Sequence, residues 1–148
     1  MPTHSFSKPR PGWRERLGVS RVAALWLLIA PAAAETVTPV FRRDLPNAPG
    51  RAMSVVTVDF APSARAAPHR HGTAFLYAYV LKGRIRSQLE GEPARTYAAG
   101  QGWPEPPGSH HVLTENPSAT EPARLLVVFV ADAGAALKTD DRSGRGRR

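Results

Sequence analysis

Residues 63–83 read SARAAPHRHGTAFLYAYVLKG, and the order of side chains in this stretch decides the architecture. Its second half, residues 75–81, is aromatic and aliphatic and is closed by Lys82-Gly83, the composition of a strand that runs into a turn. Gly83 stands where a tight turn needs a positive φ. Upstream, His69 and His71 lie two positions apart. Alternate residues of a strand share a face, so both imidazoles point the same way. By the same parity Tyr77 and Tyr79 face away from Leu76, which marks them as packing or subunit-contact residues.

The strand texture continues outward in both directions. Residues 53–60 (MSVVTVDF) are rich in β-branched side chains and end at Ala61-Pro62. Residues 84–89 (RIRSQL) alternate strictly, with Ile85, Ser87 and Leu89 on one face and Arg84, Arg86 and Gln88 on the other. The turn Glu90-Gly91-Glu92-Pro93 leads to short strands at 95–97 and 112–114, and residues 125–130 (LLVVFV) complete the set. Closely spaced turns without a helical period predict an all-β fold, an antiparallel sandwich or barrel. A final helical turn is expected at 131–137.

The chain has 148 residues and a formal charge of +8, which looks like a nucleic-acid signal until the charges are placed. Residues 35–139 carry 11 basic and 9 acidic side chains. So balanced a body has no stripe to track phosphates, and no nucleic-acid partner is expected. There is no cysteine, which excludes disulfides, thiolate metal sites and cysteine nucleophiles. Any metal must be held by histidine or oxygen ligands.

Basic residues up to Arg21 precede an apolar run at 22–34, VAALWLLIAPAAA. A span needs roughly 20 apolar residues, so this run has the length of a secretory h-region, with Ala32-Ala33-Ala34 for cleavage; the alternatives are an uncleaved anchor or a mis-assigned start codon. The expected organisation is a signal peptide at 1–34, an N-terminal arm at 35–50, a barrel at 51–139 and a disordered basic tail at 140–148. The mature protein is then periplasmic or secreted, with no stable membrane span after cleavage.

Four histidines remain beyond the leader, as His69-Arg70-His71 and His110-His111. Adjacent strand residues face opposite ways, so only one of the second pair joins the first two. Three imidazoles with open positions suit Zn²⁺, Fe²⁺ or Cu²⁺. A His-x-His pair alone is equally compatible with hydrogen-bonded surface histidines.

The second telling stretch is GQGWPEPPGSHHVLTEN, residues 100–116. Together the two stretches resemble the cupin superfamily over residues 50–131. The family's first motif runs Gly, five residues, His-x-His, three or four residues, Glu, six residues, Gly. Its second runs Gly, five residues, Pro-x-Gly, two residues, His, three residues, Asn. Gly83, Gly100, Pro106, Gly108 and His111 fall in register, while Asn116 comes one residue late and Ser63 replaces the opening glycine. The resemblance implies a small antiparallel jelly-roll barrel and selects His111 over His110 as the third metal ligand beside His69 and His71. It implies one divalent transition metal (Fe, Zn, Mn, Cu or Ni).

The larger departure is the motif's glutamate, whose place Leu76 takes by the spacing to Gly83, or Phe75 by the shorter variant; neither can ligate a metal. Three neutral imidazoles leave a divalent site at +2, which favours an anionic small-molecule ligand. Glu105, beside Pro106, is expected to be solvated at the barrel rim, with the alternative that it swings inward. Gln88 or Glu105 are the candidates to orient a substrate. Trp103 and Phe75 are expected to be core or mouth-lining. The expected function is an exported metal-binding cupin acting as a small-molecule dioxygenase or isomerase. The alternatives are a non-catalytic periplasmic module for a small ligand or metal, or a metal-free scaffold. A homodimer through the tyrosine-bearing strand is also expected.

Overall fold

The alternation at residues 84–89 is realised through residue 87: Arg84–Leu89 is a strand with Ile85 and Ser87 buried and Arg84 and Arg86 exposed, and a bulge against the neighbouring strand between Gln88 and Leu89 ends it. The structure is a computed structural model that describes residues 35–141. The leader at 1–34 and tail residues 142–148 lie outside the described residues. In chain order the strands are β1 (Thr36–Asp44), β2 (Arg51–Phe60), β3 (His69–Arg70), β4 (Phe75–Lys82), β5 (Arg84–Leu89), β6 (Arg95–Ala98), β7 (Gly102–Glu105), β8 (His110–Glu115), β9 (Ala123–Asp132) and β10 (Thr139–Asp140). No helix of the described residues is long and apolar enough to cross a membrane.

The strands form two antiparallel five-stranded sheets, ordered β1-β2-β9-β4-β7 and β10-β3-β8-β5-β6. This is the expected all-β jelly roll. The longest ladder, β2 with β9, runs unbroken from Arg51↔Asp132 to Phe60↔Ala123. An ion pair stands near each end, Arg51–Asp132 at 3.1 Å and Arg124–Asp59 at 2.6 Å. Both pairs are exposed, so they mark register more than they add stability. Energy comes from the inward parity: Phe60, Leu76, Val80, Ile85, Leu125 and Phe129 are buried in one core. A fully buried side chain of this size is worth about 2 kcal/mol.

Several boundaries differ from the sequence reading. The segment read as an arm contains β1, which pairs with β2 along its length around a bulge between Pro39 and Phe41. No helical turn forms at 131–137, because β9 extends to Asp132 and a turn with Gly134 at φ 87° follows. The described start of the tail is ordered by pairing, Asp140 lying opposite His69 in the β10–β3 ladder. Phe75, expected to be core or mouth-lining, is 45 % exposed, since it shares the outward parity of Tyr77 and Tyr79. Trp103 is buried, stacked on Tyr97.

Two backbone positions explain motif residues. Gly83 has φ 73°, and a Cβ there would lie 2.7 Å from the Pro122 carbonyl oxygen. Ser63, at the motif's opening glycine, has φ 60° and is the only non-glycine with positive φ among the described residues.

Candidate metal centre

Strand pairing assembles the histidines. His69 on β3 lies opposite His111 on β8, and Arg70 opposite His110. Cross-strand partners share a face, so His69 and His111 turn inward while their neighbours turn out. His71 follows directly after β3 with the same parity as His69. The ring centroids of His69 lie 4.8 Å from those of His71 and 5.1 Å from His111. All three are buried, and one ring nitrogen of each lies within 4.8 Å of the others.

The hydrogen bonds fix two of the tautomers. His69 Nδ1 donates to the Ala67 carbonyl at 2.7 Å, and His71 Nδ1 donates to the Leu137 carbonyl at 2.5 Å. A carbonyl only accepts, so in each neutral ring the Nε2 lone pair is left free, the arrangement of a metal-ligating histidine held by an outer partner. His111 is held on both sides. The Ser87 and Thr114 hydroxyls flank Nε2 at 2.8 and 2.9 Å, and Glu105 Oε1 lies 3.2 Å from Nδ1. Burial pushes the His69 imidazole down to about 4, with a further push from His71 and His111. Burial likewise lowers the His71 pKa. Rings that stay neutral while clustered are the form that binds a divalent ion.

Glu105 is not solvated. It is 2 % exposed, because β7 is a strand and Glu105 has the inward parity of Trp103. Burial opposes its charge, but the contacts from His111 and the Trp103 indole N–H, at 2.9 Å, outweigh that and hold the carboxyl below its ordinary range. The other departure, Leu76, does face the site and is its direct cross-strand partner.

The remaining candidates fall outside. The Gln88 amide donates to the Glu92 carbonyl, on the opposite parity from the inward-facing Ser87. His110 bonds Asp141 at 2.7 Å on the outer side. Sequence reasoning missed Ser87 and Thr114, although strict parity at 84–89 already pointed Ser87 inward. It also missed Leu137 and Lys138, which reach the site only through the tertiary course of the tail.

The centre lies in a cavity of about 140 Å³ whose lining includes Val56, Leu76, Leu125, Val127 and Phe129, with Glu35 and Lys138 also at its edge. Lys138 bonds Glu35 and Asp140. Burial works against its ammonium, but these bonds outweigh it and raise its pKa. The donor set of imidazole nitrogens with a neighbouring carboxylate fits a divalent transition metal.

No curated protein matches the chain. Among solved structures, an oxalate oxidase in complex with the substrate analogue glycolate is 25 % identical, with a TM-score of 0.53, over 70 % of this chain and 57 % of that one. The chain thus spans little more than half the length of that oxidase structure. A DMSP lyase from Ruegeria pomeroyi is 21 % identical over 64 % of this chain and 45 % of that one, TM-score 0.55. An uncharacterized conserved protein with a double-stranded β-helix domain from Klebsiella pneumoniae is 20 % identical over 72 % and 84 %, TM-score 0.57. These last two share the fold. The model of the cupin domain matches residues 56–129, half of the chain and the stretch that carries all three inward histidines. This chain belongs to the cupin family.

Proposed function

We propose that the protein is an exported metal-dependent cupin that holds one divalent transition metal on His69, His71 and His111 and acts on a small carboxylate. The observation that carries this reading is the convergence of three buried imidazoles on one apolar cavity. A bound divalent ion would supply Lewis-acid or redox chemistry at an oxygen ligand. The chain's own residues do the rest. Ala67, Leu137, Ser87 and Thr114 orient the rings, and the apolar walls exclude water.

Size narrows the ligand. A cavity near 150 Å³ takes a molecule about as large as benzene, so about 140 Å³ suits a small acid. The oxidase structure carries glycolate, a ligand of this size and charge. Reaction type is assigned to the dioxygenase or oxidase class, with a non-catalytic small-ligand module as the second reading. The second reading draws on the pairing of the other ionisable lining groups, Glu35 and Lys138, with each other.

The test is metal analysis of untagged protein, then oxygen uptake with oxalate, glycolate and small 2-oxo acids after Fe²⁺, Mn²⁺ or Cu²⁺ loading. About one equivalent of metal with ligand-dependent uptake supports the enzyme. Metal and ligand binding without turnover supports the binding module. Less than about a tenth of an equivalent after reconstitution removes the metal reading, since a built site of this donor set binds stoichiometrically. Export is tested by N-terminal sequencing from the periplasm, with a start near Glu35 expected and an intact leader refuting it.

A further inference from the structure

The family motif places a carboxylate on β4 where this chain has Leu76, and Leu76 is 1 % exposed with its side chain in the cavity lining. The β4–β7 ladder sets Glu105 directly opposite. Facing Cβ atoms of an antiparallel pair stand about 5 Å apart and point the same way. A carboxylate on either strand therefore reaches the same space.

The two oxygens of Glu105 have different surroundings. Oε1 accepts the Trp103 indole N–H and faces His111 Nδ1. Oε2 is buried and has no hydrogen-bond partner, and it lies 3.9 Å from His71 Nε2, the nitrogen whose lone pair is free. A carboxylate needed only to orient His111 would do so through Oε1. Leaving a second oxygen buried and unpartnered costs about 1–3 kcal/mol. Two ligands of one tetrahedral zinc, each at about 2.0–2.2 Å, sit about 3.4 Å apart, within half an ångström of the observed N···O separation.

We propose that Glu105 is the fourth protein ligand of the metal, delivered from β7 in place of the β4 position that Leu76 occupies. The Trp103 indole N–H holds the carboxylate in its rotamer through Oε1, and Oε2 is the oxygen that binds. Such a centre carries +1 with a divalent ion rather than the +2 of three imidazoles alone. The inference rests on the metal reading above and specifies its ligand set.

The test uses the full chain without a tag and zinc as the probe. Zinc affinity is measured by chelator competition for the wild type, Glu105→Gln and the double variant Leu76→Glu/Glu105→Leu. The zinc-loaded wild type is also crystallised. Expected are a Glu105 oxygen within about 2.2 Å of the ion and an affinity loss of about 100-fold or more in Glu105→Gln, at or beyond the top of the range for outer-sphere partners. The double variant, which returns the carboxylate to β4, regains most of that loss. A Glu105→Gln protein that binds zinc as tightly as the wild type overturns the proposal. So does a wild-type crystal with one zinc on the histidines and both Glu105 oxygens beyond about 3 Å, a reading that needs no variant to fold. A wild type that takes up neither zinc nor any other divalent ion is a separate result, and it removes the metal reading together with this one.

Discussion

Lowering the pH from 6.5 to 4 should destabilise the metal-free protein, and His69 gives the size of the effect. In the unfolded chain this imidazole titrates near its ordinary 6.5, whereas burial holds it to about 4 in the fold. Between those values the unfolded state binds a proton that the native state refuses, so acid favours unfolding. The contribution is intact above pH 6.5 and is lost progressively down to about 4. A pKa unit is worth 1.36 kcal/mol, so His69 alone accounts for about 3 kcal/mol of lost stability. His71 is shifted in the same direction by the same cause and adds to it. Against a total of about 5–15 kcal/mol for an ordinary domain, the loss is large. Glu105 does not blur the window: its carboxyl lies below its ordinary 4.5, so its contribution is intact above 4.5 and lost only as pH falls through the lower native value. The assay is urea unfolding of chelator-stripped protein at pH 7, 5.5 and 4.5, with His69→Gln as the control that has no proton to bind. The wild type should lose midpoint steadily on acidification, and the variant should lose markedly less. A wild-type midpoint that is flat from pH 7 to 4.5, or an equal slope in the two proteins, would refute the buried neutral cluster.

Three further predictions concern the frame around the site. Gly102→Ala places a Cβ 2.4 Å from the Ala78 carbonyl oxygen and forces β7 off β4. It should cost about 3 kcal/mol and lower Tm by about 10 °C or more, and an unchanged Tm by calorimetry would contradict the close approach. Ser63→Gly relieves a left-handed backbone at φ 60° and should gain about 1 kcal/mol in urea unfolding; a loss would show that the serine is held there at no cost. The outward row Phe41, Val55, Val128, Tyr77 and Pro104 crosses all five strands of one sheet, and Tyr77 is 42 % exposed. A second copy of the chain packed there gives a symmetric dimer. Sedimentation should show the dimer for the wild type and the monomer for Tyr77→Lys, whereas a monomeric wild type would dismiss it.

What could be read from sequence was whatever depends on local alternation. The strand at 84–89 was legible because Ile85 and Ser87 alternate with the outward Arg84 and Arg86, while the bulge at Gln88 and Leu89 left no mark on the pattern. Alternation said only that one of His110 and His111 could face in; the register of the family motif picked His111, and the observed pairing with His69 agrees. β7 was not legible. No strand was expected at 102–105, where Gly102 and Pro104 are poor strand formers, yet β7 is the edge of its sheet, where a proline's missing N–H is tolerated. Once β7 is a strand, parity alone turns Trp103 and Glu105 inward. β10 was equally hidden, since a two-residue strand with exposed side chains carries no pattern of its own. It exists because Thr139 and Asp140 find β3.

The same reasoning explains why the site looked incomplete. A sequence motif records positions along the chain, whereas coordination depends on where donor atoms lie in space. On a β-sheet these come apart in a specific way: an inward residue has a neighbour on the next strand whose side chain enters the same volume. Leu76 and Glu105 are such a pair. Moving a carboxylate from one to the other changes the motif and leaves the cavity with one buried carboxylate and one aliphatic wall. The move also brings the carboxylate beside Trp103, two residues away on the same face, whose indole fixes one of its oxygens. For a cupin in which the expected acidic position is apolar, the residue to inspect is therefore the one across the ladder from it.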